Sequence, residues 1–162
     1  MSSAITVRNA LSGDADFIKK CLRSLINVSF NTKNDYKYSK FDPIYKHILK
    51  NPEETPIFIA EKNGSPVGCA LCNRIYTLEM NCKTLNIADL IVDENYRGHG
   101  VGKVLLDHIK KYAKENNYET LEGLTPVLTS EKAKERMAFY EKNGFKQLGP
   151  GIIFEVTPVT YD

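Results

Sequence analysis

The sequence carries little net charge and lacks any long hydrophobic run. Its 22 basic and 20 acidic side chains leave a formal charge of +2, too small to indicate nucleic acid or a membrane surface as a partner. No apolar stretch approaches the roughly 18 residues of a membrane helix, and the N-terminus has no basic region followed by a hydrophobic one. The sequence therefore predicts a cytoplasmic protein without nucleic-acid or membrane partners.

The residues that usually bind metal ions are few and poorly spaced. The sequence has three histidines, and their spacing is not that of metal ligands: His47, His99 and His108. Cys69 and Cys72 form a C-x-x-C, but they lie in a predicted strand, where residues three apart point to opposite faces. We expect no metal site, and we expect free, buried or half-buried thiols at all four cysteines, which include Cys21 and Cys82.

The length and composition predict one globular domain covering residues 1–162. No repeat, low-complexity tract or long linker divides the chain. Apolar periodicity predicts the order β-α-α-β-β-β-α-β-α-β-β, an α/β fold with a mixed sheet of about seven strands flanked by about four helices. The predicted strands cover residues 4–8, 56–61, 66–76, 85–92, 120–125, 145–148 and 152–156. Tight turns are predicted at Asn63-Gly64 and around residues 80–83.

The most informative segment lies between the strand at 85–92 and the following helix, and it reads Arg97-Gly98-His99-Gly100-Val101-Gly102-Lys103. Glycines allow positive φ and close approach of a ligand, and free N–H groups at a helix start bind anions. The dinucleotide fingerprint is excluded because Lys103 stands where its third glycine is required. A P-loop is excluded because Val104 follows Lys103 where Ser or Thr is required. The segment predicts a phosphate site, with a plain strand-to-helix turn as the alternative.

Two motifs connect this phosphate site with a known family. The pattern R-x-x-G-x-G of Arg97, Gly100 and Gly102 resembles the pyrophosphate-binding motif of the GNAT superfamily of N-acetyltransferases. Downstream, residues 139–145 read Phe-Tyr-Glu-Lys-Asn-Gly-Phe and are similar to the F-Y-x-x-x-G-F signature that closes the same fold. The motifs stand in the family's order with one strand and one helix between them. The resemblance extends over the whole chain, and its specific signal lies in about residues 85–156.

The resemblance implies acetyl-CoA as co-substrate, with no metal. In the family, the strand before the glycine-rich turn splays away from its parallel neighbour, and the pantetheine arm enters between the two. Backbone groups of Leu90, Ile91 and Val92 would then pair with pantetheine and polarise the thioester carbonyl. The pyrophosphate would be bound by the turn and helix start, at Arg97, Gly98, His99, Gly100, Val101, Gly102 and Lys103.

Two residues are candidates for proton transfer. Tyr140, within the second motif, would protonate the departing thiolate, since a phenol with a pKa of about 10 and a thiol of about 8.5 are close enough. The alternative is an aromatic residue that only fills core. Asp89, in the buried strand, would take the proton of the amine, unless it pairs with a basic residue or the backbone. Spare candidates for the base are Glu61, Glu79 and Glu122.

The sequence departs from the family near the last helix. Many members carry an Asn that contacts pantetheine, followed three residues later by a small Ala. This chain has Ala133 and Arg136 at those places, so the Asn contact to pantetheine is absent.

The acceptor is expected to be a primary amine of a small molecule: an amino sugar, a polyamine, an aminoglycoside or an amino acid. Residues 31–42 and the turn at 79–83 are candidates for its pocket. The alternatives are a protein N-terminus or lysine as acceptor, or a coenzyme A-binding module without turnover. A homodimer is compatible with each of these readings.

Overall fold

The computed structural model of the chain describes residues 4–30, 38–79, 81–124 and 131–147. Its contacts divide the chain into two compact units, with the boundary between Gly123 and Leu124. The single domain expected from the sequence stays an expectation.

The first unit contains five described strands and three described α-helices. The strands are β1 (Thr6–Asn9), β2 (Ile57–Lys62), β3 (Ser65–Thr77), β4 (Cys82–Val92) and β5 (Thr120–Gly123). The helices are α1 (Ala15–Phe30), α2 (Phe41–Lys50) and α3 (Val101–Glu115), and short 3-10 helices occupy Ser12–Asp14 and Glu94–Tyr96. In the second unit the described helix is α4 (Glu131–Lys142).

The five strands form one mixed sheet in the order β1-β2-β3-β4-β5. Strands β1 to β4 are an antiparallel meander, and β5 pairs parallel to β4 after the crossover through α3. This confirms the predicted α/β class and the predicted parallel pair on either side of the glycine-rich turn. Of the two predicted closing strands, residues 145–147 are not in a strand, and residues 148 and 152–156 lie outside the described residues.

Local sequence explains the two hairpins of the meander. At the β2–β3 turn, Asn63 and Gly64 have φ of 54° and 75°, as a type I′ turn requires and as Asn-Gly readily adopts. At the β3–β4 turn, β4 begins at Cys82, so the last two residues of the predicted turn belong to the strand, and Asn81 takes a φ of 49°. The turn prediction at 80–83 was therefore too late in the chain.

The sheet is covered by different helices on its two faces. Helices α1 and α2 pack on one face through a buried cluster of Ile18, Cys21, Tyr45, Ile57, Ile59, Cys69 and Ile91. Helix α3 packs on the other, where the Phe58 ring lies edge-on to His108 and Tyr112 at 4.8 and 5.1 Å. Because neighbouring residues of a strand face opposite sides, Phe58 and Ile59 belong to different layers.

A β-bulge interrupts β4 just before its last residues. Leu71 of β3 pairs with Asp89, whereas the next residue, Cys72, pairs with Ile87, so Ala88 is the extra residue. The bulge places Asn86 and Asp89 on one face although they are three apart. Their partners on β3 lie two apart and therefore share that face.

The cysteines agree with the sequence analysis. All four are free thiols; Cys21, Cys69 and Cys72 are buried and Cys82 is half-buried.

Among the described residues, no group of three or more His, Cys, Asp or Glu side chains is arranged to hold a metal ion. None of the described helices combines the length and the apolar character needed to cross a membrane.

Candidate cofactor and acyl-transfer site

The glycine-rich turn adopts a backbone that only glycine takes readily. Gly98 and Gly100 have φ of 76° and 82°, in the left-handed region that side chains disfavour. A Cβ built at either position meets no atom within 4 Å, so crowding within the protein does not explain these glycines. Gly102 differs from them, because it lies inside the first turn of α3.

The start of α3 offers free amides to an anion. Its earliest hydrogen bond joins the Val104 N–H to the Gly100 carbonyl oxygen at 3.1 Å. The amides of the residues just before Val104 precede any intrahelical acceptor, and the helix dipole adds positive potential there. Together with the open space beside Gly98 and Gly100, this geometry fits a phosphate or pyrophosphate group.

Three charged or titratable side chains surround this turn. Arg97 donates from Nε to the Val92 carbonyl oxygen at 3.2 Å, which fixes the guanidinium between the end of β4 and the turn. His99 Nδ1 lies 2.8 Å from the Arg97 carbonyl oxygen and donates to it when that nitrogen carries the proton. Lys103 forms an ion pair with Asp107 one helical turn further on. Arg97 therefore adds positive charge at the turn, whereas the charge of Lys103 is offset by that of Asp107.

The end of β4 presents backbone groups along an open edge, one that no other described strand covers. The Asp93 N–H donates to the Val67 carbonyl oxygen at 3.0 Å, so Ile91, two residues earlier, also directs its backbone groups to β3. Leu90 and Val92 direct theirs to the opposite side. On that side the described pairing with β5 ends at Ile87 and Gly123. Of the three residues predicted to bind pantetheine, Leu90 and Val92 thus carry edge groups, and Ile91 is engaged in the ladder.

Asp89 lies beside this edge, on the sheet face that α1 and α2 cover. Its side chain is half-buried, and in the described part of the chain it forms neither a hydrogen bond nor an ion pair. Burial raises the pKa of the Asp89 carboxyl above its ordinary value. A carboxylate in this state is a suitable proton acceptor near neutral pH.

The spare candidates for the base are placed less favourably. Glu61 accepts a hydrogen bond from Arg8 at 2.7 Å and belongs to a charge cluster between β1 and β2. Glu122 accepts from the Asn86 side chain at 3.4 Å. Glu79 lies in the β3–β4 turn. Of the four candidates for the base, Asp89 lies nearest along the chain to the open edge of β4.

In the second unit, the motif around Tyr140 ends α4 with a Schellman cap. Gly144, at a φ of 87°, donates to the Glu141 carbonyl oxygen at 2.9 Å, and Phe145 donates to that of Tyr140 at 3.0 Å. The Tyr140 ring lies edge-on between those of Phe139 and Phe145, at 5.3 and 5.4 Å. This geometry explains the spacing of the aromatic residues and the glycine, and the proton-donor role of Tyr140 stays a prediction.

Comparison with known proteins decides the family. The model of the acetyltransferase (GNAT) family matches residues 20–145. The chain belongs to this family. The family expected from the two motifs is thereby confirmed.

The chain is similar to several N-acetyltransferases. An uncharacterized N-acetyltransferase of Methanocaldococcus jannaschii is 29% identical over 145 residues, which is 88% of this chain but only 61% of that protein. Glucosamine-6-phosphate N-acetyltransferase from Arabidopsis thaliana superposes with a TM-score of 0.74 at 18% identity, over 95% of this chain and 99% of the other. Ribosomal-protein-alanine N-acetyltransferase from Brucella melitensis biovar Abortus 2308 gives 0.70 at 17% identity, over 95% and 100%. At these identities the two structures show the shared fold.

Most residues of the predicted GNAT site belong to the first unit. Asp89, the open edge of β4 and the glycine-rich turn are consecutive along the chain, and Tyr140 belongs to the second unit. Of the segments expected near the acceptor, residues 31–37 and 80 lie outside the described residues. In the described remainder, the Arg23 guanidinium lies 5.6 Å from the Tyr38 ring centre, and Phe41 stacks on Tyr45. The places where family members carry Asn and Ala hold a buried Ala133 and a half-buried Arg136.

Sequence reasoning missed one pair of residues next to the turn. Asp93 is 9% exposed, and its carboxylate binds the Lys20 ammonium of α1 at 2.6 Å. The hydrogen bond from Lys20, aided by that from Asn95, lowers the pKa of Asp93. Asp is a common cap residue, and its position just before Glu94 was the available signal. Nothing local identifies Lys20 as its partner.

Proposed function

We propose that this GNAT protein transfers an acetyl group from acetyl-CoA to a primary amine of a small molecule by direct attack. The observation that carries the proposal is the glycine-rich turn with Gly98 and Gly100 in left-handed conformations, directly after the open edge of β4. The turn and the start of α3 would bind the pyrophosphate through residues 97–103. Leu90 and Val92 would hold the pantetheine arm along the strand edge.

The acetyl donor supplies a thioester, whose carbonyl carbon accepts the amine while the carbon–sulfur bond breaks. Negative charge develops on the carbonyl oxygen, and an N–H on the open edge of β4 is suited to stabilise it. Asp89 takes the proton that the amine loses. Tyr140 donates a proton to the sulfur that leaves. An intact set of such groups favours a catalyst over a coenzyme A-binding module without turnover.

For the acceptor, we propose an amino sugar, polyamine, aminoglycoside or amino acid. The fold shared with the glucosamine-6-phosphate enzyme supports this choice. The fold shared equally with the ribosomal-protein-alanine enzyme supports the alternative, a protein N-terminus or lysine. We place the enzyme in the cytoplasm, as a monomer or a homodimer, with neither nucleic acid nor membrane as a partner.

The test is a screen of coenzyme A release against a panel of amines, together with calorimetry of acetyl-CoA binding. We expect acetyl-CoA to bind and at least one small amine to be acetylated. Turnover only with peptides that carry a free N-terminus or lysine would favour the alternative. A protein that binds neither acetyl-CoA nor coenzyme A would overturn the proposal.

A further inference from the structure

Asp93 uses both carboxylate oxygens to join three parts of the first unit. Oδ1 accepts from the Asn95 backbone N–H at 3.0 Å and from its side-chain amide at 3.1 Å. Oδ2 accepts from Lys20 Nζ at 2.6 Å. Its own N–H donates to Val67, and its carbonyl oxygen accepts from the Tyr96 N–H at 2.9 Å. One residue therefore fixes the end of β4, the 3-10 helix Glu94–Tyr96 and helix α1.

The direction of the glycine-rich turn depends on this junction. Only residues 94–97 separate Asp93 from Gly98, and three of these form the 3-10 helix that Asp93 caps. Arg97, the last of the four, is bound back to the Val92 carbonyl oxygen. A rotation of the 3-10 helix would therefore move the amides of the turn relative to the edge of β4. The turn and the edge of β4 must both bind a single extended ligand, so their relative placement controls the affinity for that ligand.

The Lys20–Asp93 ion pair orients the Asp93 carboxylate and adds little to the free energy of unfolding. Lys20 remains 63% exposed at the side chain whereas that of Asp93 is 7% exposed, and ion pairs with one exposed partner contribute little net free energy. A buried carboxylate with an unsatisfied oxygen, however, would be costly and would seek other partners. Lys20 occupies Oδ2 of Asp93, so Oδ1 is available to accept from Asn95 in the cap of the 3-10 helix.

We propose that Asp93 is a positioning residue for the pyrophosphate-binding turn and that Lys20 of α1 holds it in place. The inference rests on the proposed function, because the ligand that the turn would bind is coenzyme A. Lys20 and Asp93 touch no reacting atom in this scheme. They act through the backbone of residues 94–98.

Asp14 provides a matched control within the same unit. It is 5% exposed, caps a 3-10 helix through the Leu11 N–H at 2.7 Å and binds the Arg8 guanidinium at 2.7 Å. Its ion-pair partner lies on β1, three strands away from β4 in the sheet. Loss of Asp14 removes the same kinds of interaction without touching the turn.

The experiment measures the Kd of coenzyme A by calorimetry and the free energy of unfolding without ligand, for each variant. Asp93→Ala should weaken coenzyme A binding by about tenfold or more, and Lys20→Met by about threefold. The double variant should bind about as weakly as Asp93→Ala alone, since both act through one junction. Asp93→Asn keeps an acceptor for Asn95 and should match Lys20→Met. Asp14→Ala should lose stability while keeping the wild-type Kd within about twofold.

The outcomes separate this inference from the proposed function. Wild-type Kd values in Asp93→Ala and Lys20→Met would overturn the positioning role while coenzyme A binding stands. A loss of affinity in Asp14→Ala equal to that in Asp93→Ala would show a general effect of stability and would overturn it as well. If Asp93→Ala does not fold, Lys20→Met and Asp93→Asn decide. A wild-type protein that ignores coenzyme A would end both proposals.

Discussion

At the scale of single residues, Asp89 is the carboxylate whose burial is hardest to explain as a contribution to the stability of the fold. It is a half-buried carboxylate with no bonded partner in the described residues, and burial raises its pKa. A raised pKa means that the folded state binds the proton more tightly than the unfolded state. Ionisation of Asp89 therefore destabilises the fold, progressively as pH rises from the unfolded pKa through the folded one, and the loss persists at neutral pH. Such a group is better explained by chemistry than by packing.

The substitution Asp89→Asn separates these two effects. It should raise the Tm at pH 7, because the asparagine is never charged, and the difference should disappear below the ordinary pKa of Asp. In the same variant kcat/KM should fall by about 10²- to 10⁴-fold, the range for loss of a general base. The acid limb of the wild-type pH–rate profile should vanish. Thermal melts at pH 3 and pH 7 and the pH–rate profile check this; wild-type activity in Asp89→Asn would assign the base elsewhere.

Tyr140 is fixed by backbone geometry as well as by its neighbours. Its carbonyl oxygen accepts from Phe145 in the Schellman cap, and its ring lies between two others. Tyr140→Phe keeps both features, so stability and acetyl-CoA affinity should hardly change. If the hydroxyl protonates the thiolate, kcat should fall by about 10²-fold or more, with a changed pH dependence above neutrality. A wild-type kcat at several pH values would show that Tyr140 only packs.

At the scale of elements, two glycines with similar backbones test whether the turn binds phosphate. Gly100 has φ of 82° and Gly64 of 75°, and a Cβ at either meets nothing within 4 Å. Alanine at either position should therefore lose about 1–2 kcal/mol of stability from the left-handed conformation. Only Gly100→Ala should also weaken acetyl-CoA binding, because its Cβ would intrude where the pyrophosphate approaches. Equal affinities in the two variants would remove the turn from the binding site.

The close packing of helix α3 on the sheet depends on another glycine, Gly68. A Cβ at Gly68 would lie 3.0 Å from Val101 Cγ1, 3.1 Å from the Ile91 carbonyl oxygen and 3.2 Å from Leu105 Cδ1. Gly68→Ala should push the start of α3 outwards and lower the free energy of unfolding by about 1–3 kcal/mol, as overpacking does. It should also weaken acetyl-CoA binding, since the helix start moves from the strand edge. Chemical denaturation and calorimetry on one preparation measure both quantities.

Local patterns predicted the elements far better than their junctions. Alternation and helical spacing located the meander, α3 and the glycine-rich turn, because each depends on neighbours in sequence. The bulge at Ala88 was not predicted, since an extra residue is defined only against the partner strand. The Lys20–Asp93 pair and the close packing at Gly68 depend on contacts between distant parts of the chain. Within the predicted site, the same limit left open which backbone groups of Leu90, Ile91 and Val92 face outwards.

At the scale of the whole molecule, the question is whether the two units unfold together. The first unit has a layered core with helices on both faces of its sheet. The second begins at Leu124 and ends at Tyr161. Chains shorter than roughly 40 residues usually need disulfides or metals to fold alone, and this unit is shorter than that. All four cysteines of the chain lie in the first unit and are free. The second unit is therefore expected to depend on the first for its stability.

Scanning calorimetry tests this expectation together with the ligand. One cooperative transition is expected for the whole chain, as the predicted single domain requires. Acetyl-CoA at about 100 times its Kd should add about 2.7 kcal/mol and raise the midpoint of the entire transition by about 5–10 °C. Coenzyme A lacking the acetyl group should act similarly, because the turn and the strand edge bind the parts that both share. Two transitions, only one of which moves with ligand, would show independent units and contradict the single domain.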